Sequence, residues 1–208
     1  AVDWAVEGNK EEGRKGVAYF SAAGNDTNTS YQSPFRGTPY SEISSQLPTT
    51  APEDTEQYLY HDFNPDEGVV DILQKVQFPK NYSASADDPN ALIVQWDQPW
   101  DNNNSANEIW FFDDDEHRTF LGKTKNEPSQ PVAGYPLLPP IRNTFHIAFV
   151  HNTHGYEGGG GQELPALFKW IAIFNGSQPP VGKGSFIQHA DYGSSTVWGH
   201  NNSKLAAN

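Results

Sequence analysis

Two stretches limit what this chain can become: RNTFHIAFVHN, residues 142–152, and PALFKWIAIFN, residues 165–175. In the first, Phe145, Ile147 and Phe149 alternate with His146, Ala148 and Val150. A period of two is the signature of a strand, whose side chains leave it on opposite faces. The second is the longest apolar run, and its Trp, Ile and Phe favour a strand over a helix. VVDILQKVQF (69–78) alternates from Asp71 onward, with Ile72 and Val76 among polar partners. ALIVQWD (91–97) is apolar enough for a central strand, and EIWFFDDD (108–115) runs into an acidic turn. Pro and Gly clusters separate these runs: GYPLLPP, GYEGGGGQELP and GSQPPVGKG. Several short strands with such breaks point to an antiparallel sandwich. Residues 36–60, polar and punctuated by proline, read as an irregular connection.

The N-terminal end reads differently. In residues 1–15 (AVDWAVEGNKEEGRK) Val2, Trp4, Ala5 and Val6 form a short apolar face of a helix, which Gly8 and Gly13 weaken and Gly16 would stop. VAYFS then reads as a buried strand. A helix, a glycine and a strand make one step of an α/β unit with a parallel sheet.

With 208 residues the chain has room for one large domain or two small ones. Its 13 Lys and Arg against 26 Asp and Glu leave a net charge of −13. That field repels phosphate backbones and anionic membranes, which argues against nucleic-acid partners. No apolar run is long enough to span a bilayer, so membrane insertion is not expected. The absence of cysteine removes disulfides, zinc–thiolate sites and thiol nucleophiles together. Six N-x-S/T sequons, at Asn25, Asn28, Asn81, Asn103, Asn175 and Asn201, fit a secreted, extracellular protein. The sequence contains no Met, which suggests a processed product or a piece of a longer chain.

Each chemical candidate has a plain alternative. FDDDEH (112–117) and DQPWDNNNSANE (97–108) carry oxygen ligands, and calcium is the ion such loops would take. Neither fits the EF-hand pattern, and a solvated acidic turn explains both, so no cofactor and no metal ligand is assigned. His151 and His154 could offer two nitrogens to a metal, but spacing supplies no third ligand. His61, His117, His146, His189 and His200 are scattered. Trp96, Trp110 and Trp170 lie inside apolar runs, where packing is the default, leaving Trp100 as the candidate platform for a sugar ring. Asn25 ends the strand VAYFS-AAG. Its side-chain amide could donate to an oxyanion formed during acyl transfer, with Gly24 turning the backbone and Ala22 and Ala23 leaving room for a substrate side chain. It could equally begin a turn.

VAYFSAAGND resembles the oxyanion-hole segment of the subtilases, the subtilisin-like serine proteases, in which a buried strand ends in Ser- or Ala-Ala-Gly-Asn. The resemblance implies that Asn25 is the oxyanion donor and that Ala22, Ala23 and Gly24 line the pocket for the P1 side chain. Thr27 stands where the family has Gly. SYQSPF (30–35), HDFNPDEGVVDILQKVQFP and LIVQWDQPW resemble the start of a β-sandwich inserted after this segment in some large secreted subtilases. STVWGHNNSKLAAN (195–208) is similar to the return to the protease core. The implied fold is mixed: a fragment of subtilase α/β core at both termini, residues 1–35 and 191–208, around an inserted antiparallel β-sandwich at 61–190. The family's catalytic Asp, His and Ser motifs do not occur in the sequence. The implied function is that of a segment of a secreted serine endopeptidase acting on a polypeptide substrate. The alternatives are a non-catalytic extracellular module binding a protein partner, and a sugar-binding sandwich.

Overall fold

The structure, a computed structural model, describes residues 8–9, 14–15, 30–64, 66, 68–77, 91–98, 106–124, 131–136, 144–154, 164–173 and 186–187. Among them every strand pair is antiparallel. The parallel layer that a subtilase core would require is not among the described residues.

The first two strands correct the helical reading of residues 1–15 at positions 8–9 and 14–15; residues 1–7 lie outside the described residues. β1 (Gly8–Asn9) pairs with β2 (Arg14–Lys15), Gly8 opposite Lys15. Gly8 and Gly13 are a sufficient local reason, since glycine costs a helix interior close to 1 kcal/mol relative to alanine.

Two larger sheets follow. One has the order β10 (Val132–Pro136), β7 (Ala91–Trp96), β12 (Leu167–Ile173), β3 (Ser30–Pro34). The other is built on β11 (Thr144–Asn152), the longest strand. One edge of β11 pairs with β8 (Asn107–Asp113), which pairs in turn with β9 (Phe120–Lys123). Its other edge is shared end to end: β6 (Gln74–Gln77) lies along Thr144–Ile147 and β5 (Tyr58–His61) along Val150–Asn152. β4 (Gly37–Pro39) adds to β5, and β13 (Phe186–Ile187) adds to β6.

Alternation along the strands makes two cores. Phe145, Ile147 and Phe149 of β11, with Ile109 and Phe111 of β8 and Val76 of β6, face the first sheet. There they meet Tyr31, Phe168, Trp170, Leu92, Val94 and Trp96. On the opposite face Trp110, Phe112, Ala148 and Val150 pack with Tyr58 and Tyr60, under Ile43, Ile72 and Leu73. Ile43 belongs to α1 (Tyr40–Ile43), a single helical turn. Residues 36–60, read as an irregular connection, thus contain β4, α1 and most of β5, and supply the lid of the second core. β8 and β11 are covered on both faces, so burial runs through all of β8 and nearly all of β11, although the sequence of β11 alternates.

Strands β3 and β4 are nearly continuous. The chain runs up the edge of the first sheet, bends at Phe35–Arg36, and enters the second. That corner closes one side of the sandwich.

Candidate functional site

Among the described residues, the corner gathers several polar groups around one buried histidine. His61, the last residue of β5, is fully buried. Its Nδ1 lies 3.1 Å from the backbone N of Arg36, which can only donate. Nδ1 is therefore the acceptor, and the ring hydrogen sits on Nε2, 3.0 Å from the Tyr31 hydroxyl. The Arg36 guanidinium reaches back over the bend: Nε and Nη2 donate to the Asp62 carbonyl at 3.0 and 2.6 Å, and Nη1 donates to Ser33 Oγ at 2.9 Å. Ser33 Oγ donates to the Pro34 carbonyl. The Asp62 N–H donates to the Arg36 carbonyl at 2.9 Å. Strand, bend and facing strand are thus tied by backbone and side chain together.

Aromatic rings enclose the knot. The His61 ring meets Phe168 edge-on at 4.5 Å and Phe63 edge-on at 4.8 Å, and Phe35 stacks on it at 5.8 Å. Phe168 lies flat on Phe149 at 4.0 Å. Burial, helped by the Arg36 charge, holds His61 down to about 2, so the imidazole is neutral in the fold. Burial raises the Tyr31 phenol above its ordinary value. On β11, His151 is buried too; its Nδ1 lies 2.8 Å from Asn107 Oδ1, and burial lowers it to about 4.

With both nitrogens engaged, His61 has no free lone pair or proton for a substrate. Ser33 is not paired with it, because Tyr31 occupies Nε2. The corner is a mechanical joint rather than a nucleophile–base pair.

The residues singled out in the sequence fare as follows. Ala22, Ala23, Gly24 and Asn25 lie outside the described residues, as do Trp100, His189, His200, all six sequon asparagines and residues 191–208. The carboxylates Asp114 and Asp115 of the acidic turn after β8 have protein partners. Asp114 takes Lys75 Nζ on both oxygens at 2.9 Å, and Asp115 accepts from the Thr119 N–H and hydroxyl. His151 points into the inter-sheet core while His154 is exposed, so the two are not brought together. His146 is buried, its Nδ1 3.6 Å from Asp114 Oδ1. Trp96, Trp110 and Trp170 are core residues, and Trp170 Nε1 donates across the sandwich to Gln74 Oε1 at 3.1 Å. Among the described residues no group of three His, Asp, Glu or Cys side chains could hold a metal, and no helix is long and apolar enough to cross a membrane.

Sequence reasoning left His61 among the scattered histidines and gave Arg36 no role. Their partners stand 25 and 30 positions apart, and no local pattern announces such a pairing. No protein-family model, curated protein or solved structure matches this chain.

Proposed function

We propose that this chain is a β-sandwich-bearing segment of a secreted subtilisin-like serine endopeptidase. Asn25 donates its side-chain amide to the tetrahedral oxyanion, and the sandwich forms a wall beside the approach of a polypeptide substrate. The sequence VAYFSAAGND supports the first role. One observation supports the second: β3 begins at Ser30, five residues after Asn25, and is fixed at once in a rigid sheet and corner. Five residues span at most about 18 Å however they run. The start of β3, at the edge of the sandwich, therefore stays within that reach of Asn25.

The intact protein tests the reading. Asn25→Ala should lower kcat on a peptide substrate by about 10²–10³-fold, the usual cost of one lost oxyanion donor. An unchanged kcat removes Asn25 from the chemistry.

A second reading is a non-catalytic extracellular module that binds a protein partner. Its support is that His61, at the centre of the corner, is committed to holding strands together. An intact protein without peptidase activity, whose flanking sequence lacks Asp, His and Ser motifs of the subtilase kind, would favour it.

A further inference from the structure

We propose that the bend at Phe35–Arg36 is an acid-released latch: protonation of His61 breaks the joint that holds β3 and β4 to β5 and frees that side of the sandwich. The latch belongs to the sandwich itself and stands whether or not Asn25 serves a peptidase.

The geometry carries it. His61 Nδ1 is an acceptor because the group facing it is a backbone N–H, that of Arg36. A proton on Nδ1 would turn an attraction into two N–H groups pointing at each other. Nothing among the described residues offsets the new charge. From β3 the facing group is the Tyr31 phenol, neutral and accepting from Nε2. From the bend it is the Arg36 guanidinium, which repels an imidazolium. From β12 and the segment after β5 come the rings of Phe168 and Phe63. From β11, beyond Phe35, comes a second buried imidazole, His151. The carboxylate next along the chain, Asp62, is turned into its own loop, where Oδ1 accepts from the N–H groups of Asn64 and Asp71. A positive charge at His61 thus meets one like charge and no committed acid. It is accommodated by opening the bend, which exposes the ring to water and lets it titrate near its ordinary value.

Hydrogen exchange on the whole chain reads this directly, because the amides of Arg36 and Asp62 are the two backbone donors in the joint. After correction for the intrinsic effect of pH, their exchange should accelerate about tenfold for each pH unit below 6.5. They should also stay faster than the amides of Phe111 and Phe149 in the central strands. His61→Asn keeps an acceptor near the Arg36 N–H and removes the titration, so the acceleration should vanish in it. If that variant does not fold, ¹⁵N shifts of the wild-type imidazole decide the matter: Nδ1 should carry no hydrogen and Nε2 should carry one at pH 7. The latch is overturned by corner amides whose corrected exchange does not depend on pH. It is equally overturned by corner amides that exchange only as fast as Phe111 and Phe149, by acceleration that persists in His61→Asn, or by a hydrogen found on Nδ1.

Discussion

The two sides on which the sheets meet are closed by different means. On the β3–β4 side the chain itself crosses from sheet to sheet, and the crossing is tied by Arg36, His61, Tyr31 and Ser33. On the β9–β10 side the described contact is not a polar knot. Instead Tyr135 of β10 lays its ring on Phe111 at 4.3 Å, and its hydroxyl lies over Gly122 of β9, 2.7 Å from where a Cβ would stand. The first joint depends on polar groups that must stay neutral or paired; the second depends on shape. A polar joint in a dry place specifies geometry sharply but fails when a proton arrives. A joint made of a ring and a glycine ignores pH and fails when an atom is added.

Four experiments test that contrast. Phe168→Ala removes the ring on which His61, Tyr31 and Phe149 all rest, and should cost about 3–5 kcal/mol in urea unfolding. A loss below about 1 kcal/mol would mean that the aromatic floor of the corner is not what supports it. Acid comes next. An unfolded histidine titrates near 6.5, whereas His61 in the fold is held to about 2. Below 6.5 the unfolded chain therefore binds a proton that the folded chain refuses, and stability falls as pH falls. Between pH 6.5 and 4.5 His61 alone removes about 2 kcal/mol. His151, lowered to about 4, acts in the same direction over that window. Urea midpoints that hold constant from pH 7 to 4.5 would erase the difference between the two sides. Gly122→Ala attacks the other side. Gly122 has φ +148, sits opposite the register shift at Phe111/Phe112, and has the Tyr135 hydroxyl against it. The variant should lose about 1–3 kcal/mol by the same amount at pH 7 and pH 5. Lys75→Met, far from both, removes a pair with Asp114 that is about one-third exposed on each partner, and should change stability by less than about 1 kcal/mol. A larger effect would assign the acidic turn a structural weight it does not carry here.

Much of the frame was legible. β7, β8, β11 and β12 announce themselves by alternation or by apolar runs, because each lies inside its sheet and must bury at least one face. β3, β4, β9 and β10 did not. They are three to five residues long and carry Ser, Gln, Gly or Pro, so no period accumulates. The Pro that marked breaks in the sequence stands at the ends of β3, β4 and β10, where a ladder tolerates a missing N–H. The helix read into residues 1–15 gives way at Gly8–Asn9 and Arg14–Lys15, which pair as strands; its four apolar residues lie outside the described residues. In the site, Trp170 was legible as a core residue, but its partner Gln74, 96 positions away, was not.

Local chemistry determined that the interior segments β7, β8, β11 and β12 would be strands, since backbone sterics and side-chain period act over a few residues and are written in the order of the letters. It also determined that the molecule would be acidic and free of disulfides. Only the tertiary structure decided that a histidine after YLY would become the pivot of a corner. That role depends on burial and on a donor twenty-five residues earlier in the chain, and neither exists until two sheets have closed on each other.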